Sequence, residues 1–343
     1  MSPPDEANPR GILVAGLSPA WQQILVFDAF RPGEVNRASE VHWCASGKVL
    51  NVGIALAHLA SSDGIVGRPR VLSVLGPRAR TAIAAEFATL GIDCHWIETN
   101  SETRICTTIL DRAASRTTEL VENAAPLTPD EVASFQRAFV EHAADADVVV
   151  LTGSLPHVAA SLRDASASLG ETRPREETRP RETTFYRELL ATTRARAVLD
   201  IRGPELLATL ECRPYCVKPN REELGKTMGR NLDADADLHA AMRELNERGA
   251  QWVVITYGAE TVWASNGGRL YRFHPPRLDS VVNPIASGDC LAAGIAWATA
   301  GGRDMLDAIR FGIAAAADNV GQLLPARLDP ERIARLERQV VAL

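Results

Sequence analysis

The sequence predicts an α/β protein: a doubly wound, mostly parallel sheet flanked by helices, carrying a small antiparallel β lid. Three observations predict it. Short β-rich apolar runs alternate with helix-like stretches along most of the chain, the pattern of repeated βα units. Several runs are unbroken rather than alternating, as in Asp147-Val148-Val149-Val150-Leu151, which suits strands covered by helices on both faces. Two early stretches break the rhythm and turn back at hairpin-type residues, as antiparallel strands do.

In chain order, Ile12–Leu17 is the first strand of the main sheet. Gln23–Cys44, turning at Pro32-Gly33, is the first antiparallel stretch, and Val49–Leu59 is an amphipathic helix. Val71–Leu75 returns to the main sheet. Ile92–Val121 is the second antiparallel stretch, with Arg104–Leu110 and Thr117–Val121 flanking a turn at Asp111–Arg116. Val148–Thr152, Ala197–Ile201, Tyr215–Lys218 and Trp252–Thr256 are further main-sheet strands, and Leu291–Ala300 and Ala308–Gly321 are helical. One domain over 11–340 is expected, with a lid built from about 22–45 and 92–122. A lid sheet has an open face, which a second copy of the chain would cover, giving a homodimer.

The composition narrows the class. Of 343 residues 46% are hydrophobic and 23% charged, and 37 Lys+Arg stand against 43 Asp+Glu, for a net charge of −6. That balance disfavours nucleic acid and anionic membrane surfaces as partners, and leaves a small phosphorylated ligand open. No apolar run is long enough for a spanning helix, and the opening MSPPDEANPR is not a secretory signal, so a cytoplasmic location is expected.

The six cysteines, at 44, 94, 106, 212, 216 and 290, lack paired metal spacing and are expected as buried free thiols. The seven histidines form no spaced cluster either. Glu171–Glu176 spells ETRPRE and Glu177–Glu182 repeats it; four Arg are matched by four Glu, so a solvated loop is expected rather than a basic docking site.

Two segments can carry chemistry. Asn283-Pro284-Ile285-Ala286-Ser287-Gly288-Asp289 runs small residues into a helix start, where free backbone N–H groups and the helix dipole hold phosphate. Asp289 there is either an N-cap or an acceptor for a hydroxyl proton. Ser46-Gly47-Lys48-Val49-Leu50-Asn51 opens the Val49–Leu59 helix and sets Lys48 and Asn51 on one face, able to grip hydroxyls or phosphate oxygens together, or simply beginning a helix. It is not a Walker loop, since GxxxxGK[ST] is missing.

With these residues in view, the chain resembles the PfkB carbohydrate kinases, the ribokinase-like fold, in the branch of 1-phosphofructokinase and tagatose-6-phosphate kinase. The resemblance runs through Ser18-Pro19-Ala20, Pro32-Gly33-Glu34-Val35-Asn36-Arg37, Gly47-Lys48 with Asn51, Thr103-Arg104, Gly153-Ser154-Leu155-Pro156, Lys218-Pro219-Asn220-Arg221-Glu222-Glu223-Leu224, and Ala286-Ser287-Gly288-Asp289, in family order. It implies ATP and Mg²⁺ as cofactors. It makes Asp289 the catalytic base and the N–H groups of Ala286, Ser287 and Gly288 an anion hole, a division that suits a reaction needing mainly alignment and charge stabilisation. Lys218, Asn220 and Glu223 fall on the nucleotide side, Glu223 organising Mg²⁺ through water, while a capping box from Asn220 to Glu223 is a compatible reading. Thr256 and Gly258 match the nucleotide-site turn, which is otherwise an ordinary hairpin, and Asn319 is expected to face the adenine. Gln22, Gly47, Lys48, Asn51 and Arg104 map to the acceptor site, where a guanidinium fork favours a phosphorylated sugar.

The chain departs from the family at several points. Gln22 stands where relatives carry an Asp, Val49 follows Lys48 where they carry Gly, and Ala286 opens the anion hole in place of Gly. The expected activity is ATP-dependent phosphorylation of a ketohexose monophosphate. The alternatives are a non-catalytic sensor on the same fold and a kinase for an unphosphorylated sugar or nucleoside.

Overall fold

The computed structural model describes residues 11–60, 66–157 and 180–342. The first ETRPRE copy and the first half of the second lie outside them. Its last three residues are not loop, because Pro180 opens the helix Pro180–Leu190.

Seven parallel strands form the body of the main sheet: β1 (Gly11–Gly16), β4 (Arg70–Leu75), β5 (Asp93–Glu98), β8 (Ala146–Thr152), β9 (Arg196–Asp200), β10 (Cys216–Val217) and β11 (Trp252–Ile255). Three antiparallel strands extend it, β12 (Val262–Ser265), β13 (Leu270–His274) and β14 (Val341–Ala342). The order is β14-β13-β12-β11-β10-β9-β8-β1-β4-β5. Valines of β8 explain the double coverage: Val148 and Val150 face one apolar layer, Val149 and Leu151 the other.

The first layer holds α1 (Lys48–Ala60), α2 (Arg80–Thr89), α8 (Ser287–Ala300), α9 (Met305–Val320) and α10 (Pro330–Glu337). The second holds α3 (Pro129–Ala143), α4 (Pro180–Leu190), α5 (Pro204–Thr209), α6 (Arg221–Met228) and α7 (Asp235–Glu247). The helices α8 and α9 meet at glycines: a Cβ on Gly294 would lie 2.7 Å from Gly312 Cα. That close approach sets the N-terminus of α8 over the sheet.

The small sheet has the order β3-β2-β6-β7, from β2 (Ala20–Phe27), β3 (Glu40–Ser46), β6 (Arg104–Asp111) and β7 (Arg116–Val121). Its outer pairs are antiparallel and its central pair, β2 with β6, is parallel. The expected lid range 92–122 is therefore too wide at its start, because β5 pairs with β4 in the main sheet. One face of the small sheet, with Ile24, Val26, Cys44 and Leu110, packs on Leu323 and Leu324. Its root is pinned where Glu86 of α2 accepts from the Ala45 N–H at 2.7 Å and pairs with Arg327. The six cysteines are free; Cys44, Cys106, Cys216 and Cys290 are buried, while Cys94 and Cys212 are partly open, short of the full burial expected. Among the described residues no helix is long and apolar enough to cross a membrane.

Candidate active site

The C-terminal ends of the parallel strands face the N-termini of α1, α6 and α8, and a charged cluster fills the space between them. This is where an open α/β sheet binds its ligands. Asp200, at the end of β9, sits at its centre and is 1% exposed. Lys48 Nζ lies 3.0 Å and Lys218 Nζ 3.3 Å from Asp200 Oδ1. Asp200 Oδ2 is buried without a hydrogen-bond partner.

Asp289 is also buried. It is not an N-cap: Ala286 holds that position, and no side chain caps the helix, so Asp289 falls in the first turn of α8. Asn51 Nδ2 donates to Asp289 Oδ2 at 2.8 Å. Burial, and next the charge of Asp200, push the Asp289 carboxyl up to about 7, against the pull of Lys48, Asn51 and Lys218. Burial alone would lower Lys48, but Asp200, Glu223 and Asp289 outweigh it and raise its pKa, so its ammonium stays charged. Asp200 moves the other way from Asp289: desolvation is outweighed by Lys218 and Lys48, which hold it below the usual carboxylate range.

The helix α6 begins with a full capping box. Asn220 Oδ1 accepts from the Glu223 N–H at 2.7 Å, and Glu223 Oε2 accepts from the Asn220 N–H at 3.0 Å. The other carboxylate oxygen, Oε1, is left to the cluster, 3.6 Å from Lys48 Nζ and 3.6 Å from Arg202 Nη1. Structural cap and site residue are thus the two ends of one side chain. Beside the α8 N-terminus, a Cβ on Gly288 would lie 3.6 Å from Lys218 Nζ, so that ammonium lies next to the glycine preceding Asp289. Ala286 takes φ 67°, a left-handed conformation in which a Cβ is strained.

Gly47, at φ 85°, turns the chain from β3 into α1; a Cβ there would meet Ser18 O at 2.8 Å. Arg104, at the start of β6, donates from Nη2 to Ser18 O at 3.1 Å and from Nε to Pro19 O at 3.3 Å. It makes no carboxylate pair among the described residues, and a cleft lined by Ser18, Gly76, Ser101, Thr103 and Arg104 opens here.

Three residues singled out in the sequence stand apart from the cluster. Gln22 is 1% exposed and spends its amide N–H on Thr108 Oγ1 at 2.7 Å, so it is a paired core amide rather than a group presented to an acceptor. Asn319 is fully buried: its Nδ2 donates to Ile285 O at 2.8 Å and its Oδ1 accepts from the Ala326 N–H at 2.7 Å. It braces the loop before α8 and has no amide group left for a base. Gly258, φ 56°, is exposed in the hairpin between β11 and β12, while Thr256 beside it bridges to Asn220 at the cluster's edge.

Sequence reasoning passed over Asp200 and Arg202. Asp200 did carry a signal, a carboxylate closing an apolar parallel strand, where ligand groups gather.

The chain matches known proteins along nearly its whole length. The family model described as pfkB family carbohydrate kinase covers residues 20–331. The chain belongs to the pfkB family of carbohydrate kinases. A 1-phosphofructokinase of Rhodobacter capsulatus is 28% identical over 333 residues, 96% of each chain. Among solved structures, a possible 1-phosphofructokinase from Thermotoga maritima superimposes with a TM-score of 0.82 at 19% identity, covering 97% of this chain and 99% of that one. Phosphofructokinase-2 from Escherichia coli, in complex with substrates and products, gives 0.79 at 20% identity over 95% and 98%. These pfkB relatives share the large, mostly parallel sheet and the small sheet beside it.

Proposed function

We propose that this pfkB kinase transfers the γ-phosphoryl group of ATP to a hydroxyl of a ketohexose monophosphate, giving a bisphosphate and ADP. The observation that carries the reading is Asp289 itself: a buried carboxyl poised near neutrality, set in the first turn of α8 and flanked by Lys48 and Lys218. A general base is most effective when its pKa lies near the working pH. The 1-phosphofructokinase relative supports the choice of a phosphorylated acceptor.

The acceptor hydroxyl loses its proton to Asp289, whose Oδ2 is taken by Asn51, leaving Oδ1 free for the proton. The hydroxyl oxygen forms the new P–O bond as the bond to the β-phosphate oxygen breaks, and ADP carries away that electron pair. The amides of Ala286 and Gly288, with the Lys218 ammonium beside Gly288, stabilise charge on the phosphoryl oxygens, and the Ser287 N–H, which donates to Pro284 O at 3.3 Å, joins them by leaving that long bond. Asp200 and Glu223 are hard oxygen donors, and the orphaned Asp200 Oδ2 marks a place for a cation with its water shell. Mg²⁺ held there would screen the polyphosphate charge. Arg104, held on the Ser18, Pro19 and Glu122 carbonyls beside the cleft with no carboxylate in ion-pair reach among the described residues, takes the acceptor's phosphate.

Residues 11–340 act as one kinase unit, with the small sheet as lid. The outward face of that sheet sets Val41, Trp43 and Leu120, 52%, 43% and 56% exposed, on one side by register, with Trp21 stacked on Trp43 at 6.0 Å. A second copy of this chain covers that face; a tetrameric form described for E. coli phosphofructokinase-2 supports self-association.

The test is an ADP-release assay over fructose 1-phosphate, tagatose 6-phosphate, fructose 6-phosphate and the free sugars. Turnover is expected with a sugar phosphate, and Arg104→Ala should raise its KM. Turnover confined to unphosphorylated acceptors overturns the substrate class, and none at all from folded protein with ATP and Mg²⁺ overturns the kinase.

A further inference from the structure

One cation at the cluster has no part in the reaction as described above. Arg202 follows Asp200 by two residues, and its backbone is held firmly. The Gly203 N–H donates to Thr227 Oγ1 at 2.9 Å, and that hydroxyl donates in turn to Glu223 O at 2.7 Å. The side chain is held loosely by comparison. Its side chain is 57% exposed; among the described residues the one carboxylate within ion-pair distance is Glu223, at 3.6 Å, beyond hydrogen-bonding reach, and Glu222 feels its charge from further off. Glu223 Oε1 is already shared with Lys48 at the same distance.

The energetics favour exchange. An exposed pair of this length contributes little, because solvent screens it and two side chains must be held in place. A guanidinium on a phosphate makes two parallel charge-assisted hydrogen bonds, a stronger and more directional contact. An anion of high charge brought into the cluster therefore takes Arg202 from Glu223. Position decides which anion. Arg202 lies just past the end of β9, and its neighbour Glu223 is in the first turn of α6, whose N-cap Asn220 bridges to Thr256 after β11. Arg104 and the lid stand across β8 and β1 on the other half of the sheet.

We infer that Arg202 is a polyphosphate clamp: it rests on Glu223 in the free protein and closes on the terminal phosphates of the bound nucleotide, a third cation beside Lys48 and Lys218. Its release leaves Glu223 Oε1 with a single cation neighbour. The inference builds on the kinase reading and adds to it a residue that binds one part of the nucleotide.

Calorimetric titration of the full chain with AMP, ADP and a non-hydrolysable ATP analogue, each with Mg²⁺, tests it. Arg202→Ala should weaken the triphosphate analogue by about tenfold or more, the effect of losing a hydrogen bond to a charged group. AMP affinity should stay within about twofold, because AMP does not reach the clamp. Arg202→Lys should recover part of the loss, and both variants should keep the wild-type melting temperature. An Ala variant that binds all three nucleotides like wild type, or loses AMP and the analogue equally, overturns the clamp while the kinase reading stands. Wild-type protein that binds no adenine nucleotide overturns both.

Discussion

At the scale of single residues, two buried aspartates are driven apart by their neighbours. Asp200 touches both lysines directly and is kept ionised, whereas Asp289, desolvated and repelled by Asp200, is pushed up to about 7. Only the ionised form of Asp289 accepts a proton. The kinase's kcat/KM should therefore rise with pH through about 7 and level off above it; a profile flat from pH 5.5 to 8.5 would remove Asp289 from the role of base. The same displacement acts on folding. Because the folded-state value lies above the ordinary 3.8, Asp289's contribution to stability is intact below about pH 4 and is lost as pH climbs through 7. Asp200 behaves oppositely, stabilising at neutral pH and losing its contribution as pH falls below the usual carboxylate range.

Asp289→Asn should consequently abolish turnover while stabilising the fold at pH 8, by an amount on the order of 4 kcal/mol at most, and by less at pH 5. Urea unfolding at the two pH values measures the difference. A variant no more stable at pH 8 than wild type would mean that the carboxyl is not under the repulsion described.

At the scale of elements, helix N-termini do most of the work, and each does more than its sequence motif announces. The Asn220–Glu223 pair was legible as a capping box and as a site motif; the structure shows the box, and it leaves the second carboxylate oxygen to the charged cluster. Asp289 had two readings in the sequence, and only the backbone separates them: Ala286 occupies the cap, so the aspartate is free for chemistry. That same Ala286 sits at φ 67°, where alanine pays a steric cost that glycine does not. Ala286→Gly should stabilise the kinase by ~0.5–1 kcal/mol net of glycine's greater freedom in the unfolded chain, with activity retained. Destabilisation on thermal melting would show that the loop does not need the left-handed conformation. Asn319 could not be assigned from its position in α9, since whether a buried amide faces a ligand or its own backbone depends on a loop 34 residues away.

At the scale of the molecule, the main sheet supplies a rigid floor and the small sheet a wall whose outer face is apolar. Trp43→Glu places a charge at the centre of that face, so sedimentation should show a wild-type dimer or larger assembly and a variant shifted toward monomer. A monomeric wild type at micromolar concentration would leave the face without the partner proposed for it. The fold was largely visible in the sequence because unbroken apolar runs such as Val148–Leu151 can satisfy both faces only in a covered parallel sheet. The strand β5 was misplaced into the lid because Asp93-Cys94-His95-Trp96-Ile97-Glu98, at the sheet edge, lacks that continuous apolar signature. The antiparallel extension β12–β14 is short and half-exposed and carries little pattern of its own.

The sequence by itself determined the class of fold and the order of the family's motifs, since those depend on local periodicity and on residues close together in the chain. Only the tertiary structure decided which charges meet. Lys48, Asp200, Lys218, Glu223 and Asp289 come from five different strand ends and helix starts, and Asp289 owes its raised pKa to burial and then to a carboxylate 89 residues away. Coulomb interactions and desolvation act through space, and space between distant segments is fixed by packing, not by sequence order.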